Sequence, residues 1–200
     1  MSDNLSNEKV EIERIRKVSD MLCSGHSHLR DRFARFALLS DVIVLGSSTW
    51  LLALTFVADT TAQVLTPFEM PPQVWLGILG AMTFFITLVR MKADWRGRSD
   101  AHRRTCDMYA EVHRECGYIL AKGDRLELSE CQRVLARYDM ATDVGAALPE
   151  RYFLSIKKRH KLKIAVSKHL DEHPGTPIVL AKLVLWWAGV RSLRELDSND

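Results

Sequence analysis

Residues 36–58 read FALLSDVIVLGSSTWLLALTFVA, 23 residues with one formal charge, at Asp41. As an α-helix this stretch is roughly 34 Å long, enough to cross a hydrocarbon core of about 30 Å. A second apolar block, VWLGILGAMTFFITLV at 74–89, is shorter, about 24 Å as a helix. It can be lengthened at both ends. Pro71 and Pro72 suit a helix start, because a first-turn proline gives up no intrahelical bond. Arg90 and Lys92 can snorkel to headgroups at the other end. A block this short also fits a buried helix of a soluble core, but pairing with residues 36–58 favours a membrane hairpin.

The flanks set the orientation. Arg30, Arg32 and Arg35 precede the first block; Arg90, Lys92, Arg96, Arg98, Arg103 and Arg104 follow the second. The connecting loop, Asp59 to Gln73, has no Lys or Arg, only Asp59 and Glu69. Cytoplasmic loops carry the Lys/Arg excess, so the loop is expected outside and both termini inside. Trp50 and Trp75 lie toward the outer ends of their spans, where interfacial aromatics are common.

Composition hides this pattern. The mean hydropathy of −0.08 reads as soluble, yet the apolar residues are concentrated in blocks between charge-dense stretches. With 200 residues the chain suits one compact unit. The first apolar run starts near Phe36, after a long charged stretch, so a retained anchor is expected and not a cleaved secretory signal. Cys23, Cys106, Cys116 and Cys131 all lie outside the hairpin, and on this topology they face a reducing compartment as free thiols.

Asp41 is the costly residue of the first span. A carboxylate at the bilayer centre costs about 2.5–3.5 kcal/mol on insertion scales, less near the interface. It can reach water or pair with Arg35 or Arg90. Its spacing offers a second role, because Asp41, Ser48 and Thr55 recur every seven residues and share one helix face. Ser40 and Ser47 form an adjacent line. A lone hairpin has no interior for such a stripe, whereas a homo-oligomer does. Asp41, Ser47, Ser48 and Thr55 are therefore expected to line a pore, with Asp41 as an acidic ring near the cytoplasmic mouth. The competing explanation is close helix packing through small hydroxyl residues; Gly77-x-x-x-Ala81, with Gly80 nearby, fits that explanation better.

The remaining sequence is helical in pattern. Glu8 to Leu29 has sparse apolar positions at Val10, Ile12, Ile15 and Val18. Met91 to about Ala121 is expected to continue inward from the second span, packing through Trp95, Ala101, Met108, Tyr109 and Val112, until Gly123 breaks it. Ser129 with Gln132 resembles a capping box for a helix to about Val144. A helix over Glu150 to His173 follows. Gly175-Thr176-Pro177 then starts the last one, with Thr176 as N-cap and Pro177 at the first helical position.

The helix from Arg151 reads RYFLSIKKRHKLKIAVSKHL. Lys157, Lys161 and Lys168 share a face, widened by Lys158, Arg159, His160 and Lys163. Such a run is usually a solvated face or one drawn to anionic headgroups. It can also bind a nucleotide or oligonucleotide, making Lys157, Lys158, Lys161, Lys163 and Lys168 the candidate ligand-binding set. Aromatic platforms beyond Tyr152 and Phe153 are lacking. Ile178 to Val190 is apolar, but 13 residues containing Lys182 are too few to span easily. With Trp186 and Trp187 it suits an interfacial helix or one packed on the bundle; a third span is the remaining option.

No catalytic pattern is evident. His26-x-His28 and His169-x-x-x-His173 lack further metal ligands, and no Gly-x-Ser-x-Gly, Gly-Lys-Thr/Ser phosphate loop or dinucleotide fingerprint occurs. No enzyme activity, metal or cofactor is expected.

The layout of HLRDRFARF (28–36), two spans around an acidic outer loop, WRGRSDAHRRTCDMYAEVHRE (95–115) and LPERYF (148–153) resembles the SLATT family. The likeness runs over roughly Val18 to Phe153. It implies a two-span bacterial effector that forms a pore and arrests growth or kills the cell on phage infection. It also implies control by a nucleotide or oligonucleotide from a neighbouring nucleotidyltransferase or other sensor. No catalytic residues carry over, and the family pattern does not assign the basic extension from Arg151, which is the natural place for a ligand-sensing element.

The expected fold is an all-α membrane protein, a two-helix transmembrane hairpin with N- and C-terminal cytoplasmic helices forming a bundle. The boundaries are 1–35 for the first cytoplasmic helix and 36–91 for the hairpin, with spans at 36–58 and 72–91. Residues 92–200 form the cytoplasmic region, with a basic helix at 150–173 and an apolar one at 177–196. The function expected is a homo-oligomeric ion channel of the bacterial inner membrane, a symmetric ring with a tetramer as the working number. The alternative is a non-conducting membrane scaffold that recruits a soluble partner.

Overall fold

The computed structural model describes residues 2–57, 66–67, 70–123 and 127–197, without the side chains of 2–6 and 189–197. Six α-helices make up most of the described residues: α1 Ser2–Phe56, α2 Pro72–Ala93, α3 Trp95–Ala121, α4 Leu128–Val144, α5 Glu150–Glu172 and α6 Ile178–Asp197. Ala58, Asp59 and Glu69, the end of the first expected span and the two acidic loop residues, lie outside the described residues.

Two compact units emerge, where the chain length suggested one. One comprises Met1–His26 with Cys106–Asp200, the other Ser27–Thr105. In the first, apolar residues of α1, α3 and α4 pack together: Ile12, Ile15, Val112, Cys116, Ile119, Cys131 and Val134. Their spacing explains the packing: i, i+3 on α1, i, i+4, i+7 on α3, and i, i+3 on α4 each make one apolar stripe. Each fully buried aliphatic side chain stabilises by about 1.5–3 kcal/mol. At the rim, Arg137 on α4 bonds Glu111 at 2.8 Å and also Glu115, both on α3. Gly25 of α1 faces Ile156 of α5, and a Cβ built there would stand 2.8 Å from Ile156 Cγ2. That glycine is a close-approach position.

The second unit holds both long apolar helical segments. They are long and apolar enough to cross a membrane. None of the 22 residues of α2 is buried within the chain. The core helix of a soluble monomer would be mostly buried, and residues 74–89 are not.

Five sequence expectations need correction. The charged helix and the first apolar block are one helix, since nothing from His28 to Arg35 breaks the helical pattern. The chain does not run unbroken from Met91 to Ala121: Asp94 adopts φ 42, ψ 54 and ends α2. Ala101, expected to pack, is exposed. Ser129 is not a cap, because α4 already starts at Leu128; its N-cap Glu127 makes no side-chain capping bond, and Ser129 Oγ points to the Glu127 carboxylate at 3.4 Å. The last helix begins one residue late, at Ile178, with the Pro177 carbonyl accepting from Ala181 N–H at 3.0 Å.

Candidate functional site

The polar chemistry of the second unit is concentrated where α2 gives way to α3. Asp94 makes the joint. Its backbone N–H bonds the Arg90 carbonyl at 3.2 Å, closing α2. Its Oδ1 accepts the Gly97 N–H at 3.1 Å, and its carbonyl takes the Arg98 N–H at 3.0 Å, opening α3. Aspartate suits both tasks, because it tolerates the left-handed region better than most residues and caps helix N-termini. Gly97 must be small, since a Cβ there would run into the Asp94 carboxylate.

This turn carries Arg90 and Arg96 to Asp41 on α1. Arg90 Nη2 is 2.6 Å from Asp41 Oδ1, and Arg96 Nη2 donates to Asp41 Oδ2. The Asp41 side chain is only 15% exposed, against 37% for Arg90 and 70% for Arg96. One carboxylate is thus shared by two guanidiniums, so the cluster is net positive. A cleft of about 450 Å³ lies beside it, lined by residues including Ala37, Thr87, Arg90, Asp94, Trp95 and Arg96.

The first turns of α3 are fixed to α1. Ser99 Oγ donates to the Arg30 carbonyl at 3.1 Å, Phe36 meets Trp95 at 6.2 Å between ring centroids, and Phe33 stacks on His102 at 5.6 Å. Burial holds His102 below the ordinary imidazole range, because the charged form loses hydration there.

The expected pore-lining residues divide. Asp41 is brought to Arg90, one of its two anticipated partners, and to Arg96, which was not anticipated. Arg35 instead donates to the Asp31 carbonyl at 3.2 Å. Ser47 and Thr55 turn their hydroxyls onto their own helix, to Val44 O at 3.1 Å and Leu51 O at 2.8 Å. Ser48 and Thr55 are exposed and Ser47 is half-buried. Gly46 on α1 and Gly77 and Gly80 on α2 also face open space. Small, open surface of this kind admits close approach of another helix.

The five candidate ligand-binding lysines, Lys157, Lys158, Lys161, Lys163 and Lys168, are all exposed on α5. In the same unit, Cys23 Sγ and Cys106 Sγ lie 2.7 Å apart, 83 residues apart in sequence. The contact and burial raise the Cys23 thiol far above its ordinary range. His26 is buried and stacks on Tyr109 at 5.8 Å, while His169 stacks on His173 at 4.9 Å. Among the described residues no group of three His, Cys, Asp or Glu side chains is arranged to hold a metal ion.

The Asp94–Gly97 turn, and Arg96 as a partner of Asp41, were not read from the sequence. The signal was present as Asp-x-x-Gly three residues past the last apolar turn, but an uninterrupted helical pattern masked it. The cysteine pair left no local signal. Comparison of the chain with protein-family models, with curated proteins and with solved structures found no match in any of the three.

Proposed function

We propose that this protein is a bacterial inner-membrane effector that assembles into a homo-oligomeric ion-conducting pore. In this reading α1 and α2 cross the bilayer as a hairpin with both termini in the cytoplasm. The observation that carries it is α2 itself: an apolar helix of 22 residues with no buried residue. Apolar surface left uncovered by its own chain is stable only in lipid or against other copies. The Lys/Arg asymmetry between the flanks and the loop 59–73 supports the orientation.

Oligomerisation accounts for the polar stripe. Ser48 and Thr55 would face the ring axis, and the open Gly77 and Gly80 surface would meet the neighbouring subunit. At the cytoplasmic mouth Asp41 would stand with Arg90 and Arg96 as counter-ions. The mouth would then present a net positive cluster instead of the bare acidic ring suggested by sequence. As the resemblance to the SLATT family implies, a nucleotide or oligonucleotide signal raised during phage infection would control the pore through the cytoplasmic unit, with depolarisation and growth arrest as the outcome.

Liposomes reconstituted with the purified protein, loaded with a small-ion reporter or a large dye, test this reading. Flux of small ions without dye release is the expected result. Dye release would mean lipid damage without a defined pore. Silence of both reporters, with the protein inserted, oligomeric and supplied with its genomic-neighbour product, would replace the pore with a scaffold.

A further inference from the structure

The two C-terminal helices, α5 and α6, pack against each other, joined by a turn closed by Thr176 N–H on the His173 carbonyl at 3.1 Å. Along α5, Leu154, Lys157, Lys161, Ile164 and Lys168 follow spacings of three and four residues and so form one stripe. All five are exposed, Leu154 by 74% and Ile164 by 43%. Its partner α6 leaves Val179, Leu183, Trp186 and Trp187 exposed, the last two by 60% and 65%. Of its described side chains only Ala181 is buried.

We propose that the α5–α6 pair docks flat on an anionic lipid surface, the lysines on headgroup phosphates and the Trp pair at the headgroup–acyl boundary. The mixture of residues decides the occupant. A free nucleotide uses cations for its phosphates and an aromatic platform for its base, and exposed Leu154 and Ile164 within the lysine stripe serve neither. A second copy of the same face would set lysine against lysine about a two-fold axis, which repels. An anionic bilayer uses both halves: phosphates take the lysines, and the interface takes Trp and aliphatic side chains. The apolar run Ile178–Ala188 is about 17 Å as a helix, too short for a core of about 30 Å, so it lies on the bilayer instead of crossing. The proposal rests on the membrane reading of α1 and α2, which tethers this unit to the bilayer and lets a weak surface affinity suffice.

The test uses the full chain in vesicles of phosphatidylglycerol with phosphatidylcholine, and in phosphatidylcholine alone. Bromines are placed at shallow or deep acyl positions. The natural chain is compared with one carrying Trp186→Phe and Trp187→Phe, so that the difference reports the Trp pair. Strongest quenching by shallow bromines is expected in anionic vesicles. Most of it should be lost in phosphatidylcholine alone, at high salt, or on Lys157→Glu with Lys161→Glu and Lys168→Glu. Absence of quenching, equal quenching in both lipids, or dominance by deep bromines overturns the proposal. So does a lysine variant that loses binding of a soluble oligonucleotide while its quenching stays unchanged. Labelling of Gln73→Cys from outside in the same samples reports hairpin insertion separately, so failure of the lipid contact is distinguishable from failure of the hairpin.

Discussion

Arg90 reaches Asp41 with 2.6 Å between Nη2 and Oδ1, an ion pair between the last turn of α2 and the apolar stretch of α1. With Arg96 on the other carboxylate oxygen, it explains how a carboxylate is tolerated in an apolar segment. Removing one partner leaves an uncompensated charge in a partly buried place, whereas exchanging the charges does not.

Asp41→Asn should therefore lower the thermal midpoint in detergent, a loss of about 1–3 kcal/mol by analogy with partly buried pairs. Asp41→Arg combined with Arg90→Asp should recover most of it. In a conducting pore, Asp41→Asn should also move ion selectivity toward anions, read as a shift in reversal potential. Full stability and unchanged selectivity would show the pair to be incidental.

The Asp94 joint gives a second prediction. Asp94→Ala loses the cap on Gly97 and leaves an alanine at positive φ, and should cost about 1–3 kcal/mol. Asp94→Asn should cost less, since asparagine both caps and accepts this backbone region. Gly97→Ala should resemble Asp94→Ala. Equal unfolding midpoints for all three variants and the natural chain would contradict the geometry.

Between α1 and α5 the contact of Gly25 with Ile156 sets a steric limit. Gly25→Ala gains about 1 kcal/mol of helix propensity but forces a β-branched side chain aside, at about 1–3 kcal/mol. A net loss is expected. Combined with Ile156→Ala, which opens room, Gly25→Ala should instead stabilise relative to Ile156→Ala alone. A double-mutant cycle in denaturant reads the coupling.

Burial in the apolar cluster pushes the Cys116 thiol up to about 11 from 9.0. The folded state then holds its proton where the unfolded chain releases it. This contribution is complete below pH 9 and is lost between about 9 and 11. Cys131 and Tyr138 are raised by burial and share the sign. Stability of the natural chain should fall through this alkaline window, and Cys116→Ala should shallow the fall. A slope unaltered by the substitution would contradict the assignment.

Helix content and the limits of most helices were legible because apolar spacing of three and four residues is a local signal. Glu150–Glu172 and Leu128–Val144 follow it nearly residue for residue. The junctions were less legible. Asp94 breaks a pattern that the surrounding residues would continue, and its reason lies in the carboxylate that Gly97 accommodates. The Cys23–Cys106 contact spans 83 residues, a separation that no periodicity encodes. At the site, the sequence marked Asp41 as costly and offered Arg90 as a partner. Arg96 became its second partner only because the chain turns at Asp94. The line Asp41, Ser48 and Thr55, with Ser47 on the line beside it, was readable as a spacing, but the Ser47 and Thr55 hydroxyls bond their own helix, an option open to any helical Ser or Thr.

The central claim is that α1 and α2 form a bilayer-spanning hairpin, and labelling of single introduced cysteines tests it most directly. Gln73 and Asp100 are both exposed, one at the start of α2 and one on α3. In cells stripped of their outer membrane, a membrane-impermeant maleimide should label Gln73→Cys at once and Asp100→Cys only after permeabilisation. The natural chain, whose four cysteines lie outside the hairpin, should stay unlabelled until permeabilisation. Equal labelling of Gln73→Cys and Asp100→Cys in intact cells, or labelling of neither until the membrane is opened, would contradict the hairpin.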